Sequence, residues 1–400
     1  MRALTAILLC LVGLSASTSA IRTTTEPLPH DAYVWQRIWT PAVTAAASRS
    51  ADIIRSWRIL LAEGDRSGRW TTVAVPWSDI LATGRPVISV IRIDGRLDED
   101  RMVALLDRVV ATVSAPNTLQ SIAGVEIDYD CPTSKLATYA KFLSALRARL
   151  PSSIALSITA LPTWLSSSAL GNLATDLDEV VLQVHAIDDP RRGLFDPDQA
   201  ERWVREFGRR ISRPFRVALP AYDVRVTWRS NGRLASVEGE VPLLAGQDGE
   251  VLDARPEAVL GLLHALQRSA PAGLIGVVWF RLPTEADTRA WSLKTWRAVV
   301  TDRLSPAKVS AALVPAEQSD LWNVVLSNEG SVDARLPSQV RLDAACQAAD
   351  GANGFRLVAD RLADQRVLES NGNGRLRAQT KRTIGWARCV QPERQLHVVN

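Results

Sequence analysis

Eight short Val/Ile-rich runs, separated by segments with helical spacing, constrain this chain more than any other feature. The runs span 32–39, 58–63, 86–94, 124–130, 154–160, 179–187, 215–222 and 273–282. Runs of this length and composition suit parallel strands buried on both faces. Between them, 98–113 sets Met102, Leu105, Leu106, Val109, Val110 and Val113 along one helix face. Segments 136–150 and 256–269 behave likewise, the latter with Pro256 at a helix start. Eight strands alternating with helices predict an α/β fold, a (β/α)₈ TIM-type barrel rather than an open sheet.

Two regions break the rhythm. Residues 224–251 hold Val226-Thr227-Trp228 and then Asn231-Gly232, a hairpin signal between extended stretches, so a β insertion is expected after the seventh strand. After Ser305-Pro306 helical periodicity stops, and 321–328, 338–342, 354–359 and 383–389 alternate as half-buried strands. Turn signals at Asn328-Glu329-Gly330 and Asn371-Gly372-Asn373-Gly374 separate them. The expected organisation is a signal peptide over 1–20, a barrel over 21–304, and a small all-β, sandwich-like domain over 305–400.

The signal peptide is read from Met1-Arg2, the apolar run 3–14 and the small residues Thr18-Ser19-Ala20. Leu9 stands before Cys10 where a lipoprotein would need a small residue. The apolar run is too short to span a bilayer, so an exported protein, periplasmic or secreted, without stable membrane insertion is expected. Three cysteines then remain, and an oxidising compartment favours pairing Cys346 with Cys389, leaving Cys131 as a buried thiol. The formal net charge is only +4, and basic residues are scattered rather than striped, which argues against a nucleic-acid partner. Thirteen Trp against four Tyr and six Phe leave two readings open, core filling and sugar stacking. Trp35, in the first run, is a candidate for the second.

The fourth run, Gly124-Val125-Glu126-Ile127-Asp128-Tyr129-Asp130, carries the chemistry. Period-two geometry puts Glu126, Asp128 and Asp130 on one face, roughly 6.6 Å apart. At an effective dielectric of about 20, two such charges repel by about 2.5 kcal/mol. A fold has little reason to carry this unless the acids react, share a proton, hold a cation or pair with inward arginines such as Arg37, Arg92 or Arg281. Asp130 closes the strand where barrel enzymes keep their reacting groups. No His-rich or Cys-rich ligand spacing supports a metal site built with His185, and no dinucleotide or phosphate loop is present, so no cofactor is expected.

The Gly-led alternating acids resemble the fourth-strand signature of chitinase-like glycoside hydrolases. Gln183-Val184-His185, Leu219-Pro220-Ala221-Tyr222 and Val278-Trp279 follow in that family's order. Taken whole, the chain is similar to an uncharacterised bacterial family of exported barrel proteins related to that fold. The sequence departs from the pattern at Asp130, where the signature ends in Glu, and at Ala123, where an acid precedes the Gly. The resemblance implies that Asp130 is the general acid, Asp128 its orienting partner, and Glu126 a support for Asp128. It further implies that Tyr222, Gln183 and His185 contact the sugar and that Trp279 forms the floor beneath it. In that family the substrate's acetamido group attacks in place of a second carboxylate. The functions implied are hydrolysis of a polysaccharide, N-acetylated in the closest analogy, or carbohydrate binding without catalysis. An envelope scaffold is the third reading.

Overall fold

The computed structural model describes residues 27–95, 99–185, 193–229, 231, 234–238, 249–318, 320–342, 344–360, 365–372, 374–390, 392 and 395–399. The expected signal peptide, Gly232 and Asn373 lie outside the described residues, as does much of the expected insertion.

Eight parallel strands form a closed barrel: β1 His30–Val34, β2 Trp57–Gly64, β3 Val87–Ile93, β4 Gly124–Tyr129, β5 Ala155–Ala160, β6 Glu179–Gln183, β7 Phe215–Pro220 and β8 Leu274–Phe280. Each pairs with its neighbours, and β8 closes on β1. Six strands fall inside the Val/Ile-rich runs; β1 begins two residues before its run, and β2 overhangs its run by one residue at each end. Strand β1 stops at Val34, well before the run ends, and Pro41 opens the helix Pro41–Ser50. The helical segments run Glu99–Val113, Leu136–Arg149 and Pro256–Arg268.

Alternation along each strand divides the barrel into two cores. Ile59, Ile91, Ile127, Ile158, Leu182 and Val217 face the helices. Tyr33, Leu60, Val90, Val181, Ala218 and Val278 face the barrel axis. Fully burying each large apolar side chain contributes roughly 1.5–3 kcal/mol, so both faces of every strand hold the barrel closed.

After β7 comes a three-stranded antiparallel sheet, with Asp223–Trp228 between Leu234–Glu238 and Glu250–Asp253. Beyond the barrel, eight strands make one antiparallel sheet. Its order is Cys346–Gly351, Thr380–Cys389, Leu321–Asn328, Val309–Pro315, Gln395–Val399, Gln339–Arg341, Gln365–Ser370 and Phe355–Asp360. The sheet folds over so that its first and last strands approach each other around Leu313, Val324, Leu326, Val340, Leu368 and Ile384. A disulfide joins Cys346 to Cys389, which stand opposite one another on adjacent strands. Cys131 is a free, buried thiol, and burial pushes its pKa up to about 12. Among the described residues no helix is long and apolar enough to cross a membrane.

Candidate active site

Strand β4 builds the site. Val125, Ile127 and Tyr129 pack outward, which turns Glu126 and Asp128 toward the axis. At Gly124 a Cβ would stand 3.0 Å from the Ala155 carbonyl of β5, so the close approach of the two strands favours glycine there. The strand ends at Tyr129, and Pro132 follows with an extended backbone. The Trp164 indole donates to the Cys131 carbonyl at 2.8 Å, fixing the turn that carries Asp130.

The three acids occupy three different environments. Glu126, at the floor, is fully buried; Tyr33 Oη donates to it at 2.5 Å, Ser157 Oγ at 3.3 Å, and the Arg58 guanidinium pairs with it. Arg58 also binds Glu179 and lies 3.2 Å from Asp31, while Arg216 Nε is 2.9 Å from Glu179 and 3.3 Å from Asp31. Two arginines and three acids thus close a network across the barrel floor. Burial raises the Glu126 pKa despite the pull of Arg58 and the Tyr33 hydroxyl. At Glu179 two arginines overcome the same burial, and its pKa is lowered.

Asp128 sits higher, with only 3% of its side chain exposed. It accepts from Arg92 Nη1 at 2.6 Å, Thr159 Oγ1 at 2.7 Å and Gln183 Nε2 at 3.5 Å. Asp130, at the mouth, is 53% exposed and meets Arg92 Nη2 at the longer distance of 3.4 Å. Partial desolvation and the charge of Asp128 raise its pKa, against the pull of Arg92. The Arg92 guanidinium lies 5.9 Å from the ring centre of Trp35, a cation–π contact.

Above Asp128 opens a cavity of about 290 Å³ walled by Tyr33, Trp35, Tyr222, Val224 and Phe280, with Thr159, Gln183 and His185 as polar lining. His185 Nδ1 is 3.1 Å from the Tyr222 hydroxyl, and its ring stacks on Phe280 at 5.5 Å. Burial lowers its pKa to about 4, so the imidazole is neutral at pH 7. Its buried Nε2 has no protein partner. Among the described residues no cluster of His, Cys, Asp or Glu has the makings of a metal site.

The structure therefore brings Asp130, Asp128, Gln183, His185, Tyr222 and Trp35 to one cavity, and it corrects three expectations. Trp279 is not the floor: it is buried among the helices, donates to His30 Nδ1 at 3.0 Å and packs on Trp291 and Trp296. The reason is strand parity, because Val278 and Phe280 take the inward positions of β8 and Phe280 supplies the aromatic wall. Glu126 does not hold Asp128 in place: it belongs to the floor network with Arg58 and Tyr33, while Arg92 and Thr159 hold Asp128. Of the three arginines offered as alternative partners for the acids, Arg92 meets Asp128 and Asp130, whereas Arg37 pairs with Glu63 and Arg281 with Asp287. Tyr33, Thr159, Phe280 and Arg58 went unnoticed in the sequence. Counting in twos along every strand, not only β4, would have placed them inward.

A family model described as a domain of unknown function (DUF3142) matches residues 83–285, and a second such domain (DUF8456) matches 311–390. No curated protein matches the chain. The spore cortex-lytic enzyme SleL of Bacillus cereus is similar in structure, with a TM-score of 0.51 and 14% identity, over 70% of this chain and 75% of that one. SleL of Bacillus megaterium aligns with the same score and identity, over 70% and 74%. A chitinase of Bacillus thuringiensis aligns over 94% of this chain and 100% of its own, at 10% identity and a TM-score of 0.47. At these identities the likeness is one of fold, a glycoside-hydrolase-like barrel.

Proposed function

Starting from the premise that this chain belongs to the DUF3142 family of domains of unknown function, we propose that its barrel hydrolyses a polysaccharide by carboxylate general-acid catalysis. The observation that carries this reading is the pairing of two unlike acids in one aromatic-walled cavity. Asp128 is buried and held by Arg92 and Thr159, whereas Asp130 is half-exposed with a raised pKa. Paired acids whose environments differ in this way are what division of labour between a proton donor and a charged partner requires.

In the proposed reaction, protonated Asp130 gives its proton to the glycosidic oxygen as the bond from that oxygen to the anomeric carbon breaks. The developing positive charge on the sugar is met by Asp128, which stays in place because Arg92 and Thr159 hold it. For an N-acetylated sugar, the acetamido carbonyl would attack the anomeric carbon, and water would then open the ring so formed. Asp130 is one methylene shorter than the Glu of the resembled signature, so the leaving oxygen has to come closer or accept its proton through a water. Trp35, Tyr222 and Phe280 offer flat faces to sugar C–H groups, and neutral His185 offers a hydrogen bond. The Cys346–Cys389 bond supports an exported protein working in an oxidising compartment.

One observation favours a second reading, sugar binding without cleavage. Arg92 reaches toward Asp130 as well as Asp128, and a tighter contact would hold the acid ionised. Incubating purified protein with a panel of polysaccharides, and measuring reducing ends and bound sugar together, decides between them. Hydrolysis predicts new reducing ends; binding without release of ends supports the second reading, and neither outcome overturns both.

A further inference from the structure

The C-terminal region reaches the barrel beside the candidate site through two arginines, Arg375 of the two-stranded antiparallel sheet Ala334–Arg335/Arg375–Leu376 and Arg377 just beyond it. Arg375 Nη2 lies 3.0 Å from Asp223 Oδ2 and 3.6 Å from Asp253 Oδ2. Arg377 Nη1 donates to the Ala290 carbonyl at 2.9 Å, and Nη2 donates to the carbonyl of Asp287. The same guanidinium is 3.4 Å from Asp333, whose carboxylate accepts from the Ser292 amide at 2.6 Å and the Ala378 amide at 2.7 Å.

The barrel positions so gripped form one unit. The Ala221 amide donates to the Phe280 carbonyl at 2.8 Å, the Asp223 amide to Arg289 at 2.7 Å and the Trp291 amide to Ala221 at 3.0 Å. Tyr222 and Ala290 form an antiparallel bridge. Residues 287–291 therefore back the stretch 221–223, and Asp287 in turn pairs with Arg281, the neighbour of Phe280. Tyr222, Val224 and Phe280 are the wall of the cavity. Asp223 is buried and only 4% of the Asp333 side chain is exposed; a covered carboxylate that loses its cation is left uncompensated, so each holds its arginine in one place.

We propose that Arg375 and Arg377 are positioning residues for the candidate site, and that the C-terminal region fixes the Tyr222–Phe280 wall from behind. That region is then a working part of the cleft. Simple glue between two modules would stabilise the chain without setting that wall. The effect on sugar binding rests on the carbohydrate reading of the cavity; the effect on the wall itself does not.

The experiment is amide hydrogen exchange on the full chain, comparing the parent with Arg375→Gln, Arg377→Gln and the two Lys variants. In the Gln variants the amides of Ala221, Asp223 and Trp291 should exchange about tenfold faster, as expected for side chains acting through a packed network. Amides of β2 to β6 should keep their parental rates. Arg375→Lys should restore protection, because a point charge still meets Asp223. Arg377→Lys should not, because only a fork reaches two carbonyls at once. Unchanged exchange at those three amides, or equal acceleration across the whole barrel, overturns the proposal. Should a Gln variant fail to fold, the contrast between the two Lys variants decides. In parallel, titration with tetra-N-acetylchitotetraose should give a Kd about tenfold weaker in Arg377→Gln. If the parent does not bind this sugar, the carbohydrate reading suffers while the exchange result still decides the positioning role.

Discussion

Glu126 lies within β4 and Asp130 just past its end, four residues on, yet the floor and the mouth of the barrel treat them in opposite ways. At the floor, Arg58 and Arg216 are shared among Asp31, Glu126 and Glu179, and nothing is open to solvent except the edge of Glu179. At the mouth, Arg92 is shared by two acids and leaves Asp130 half-exposed. The difference teaches that spacing alone does not assign a role to an acid. A carboxylate whose partners are all protein groups serves the fold; one with an unfilled side toward a cavity is free to meet a ligand.

The largest expected effect breaks the comparison at the mouth. Asp130→Asn should lower the rate on a confirmed substrate by about 10²–10⁴, with stability changed by no more than about 0.5 kcal/mol, as for other exposed positions. Steady-state kinetics beside urea unfolding checks both, and parental turnover would remove Asp130 from the mechanism. The complementary change at the floor is Arg58→Met, which takes the guanidinium from the buried Glu126 and leaves Asp31 and Glu179 to Arg216. It should cost about 3–5 kcal/mol in urea unfolding, and adding Glu126→Gln should recover part of the loss.

Replacing Cys346 and Cys389 together by Ala should cost about 2–4 kcal/mol of stability in the C-terminal sheet. Activity should stay within about twofold, since the bond crosses strands remote from Arg375 and Arg377. The smallest effect sharpens the contrast within the mouth itself. Asp128 raises the Asp130 pKa by its charge. In Asp128→Asn that charge is gone and Arg92 is left to Asp130, so the pKa of the donor falls. A donor has to keep its proton, so the alkaline limb of the pH profile should move to lower pH, by about one unit or about 1.4 kcal/mol. A limb that moves upward would contradict the assignment.

The barrel was legible in the sequence because buried parallel strands demand near-continuous Val, Ile and Leu, and each such run overlaps one strand. The disulfide was legible because the last hundred residues hold only two cysteines, Cys346 and Cys389. The acids of β4 were legible because a single strand carries them at period two. Of their arginine partners only Arg92 was a candidate in the sequence. Arg58, Arg92 and Arg216 come from other strands, and which acid each one meets depends on the stagger between strands, which no single run encodes. Trp279 shows the same limit from the other side: its type suits a sugar floor, but one residue of parity sends it into the helix layer and brings Phe280 inward.

Both sheets are completed by strands that arrive late. Strand β8 has to return to β1 before the barrel closes, and Gln395–Val399 has to slot between Val309–Pro315 and Gln339–Arg341 before the second sheet joins. Delivered from its N-terminus, the nascent chain therefore exposes one open flank of β1 throughout the synthesis of the seven strands that follow. Such non-local closure is slow, and an unpaired flank templates association between chains. Arg375 and Arg377 follow β8 in the chain, so their grip on the site wall comes only after the barrel's last strand has been made, and the cleft acquires its final shape after the barrel itself.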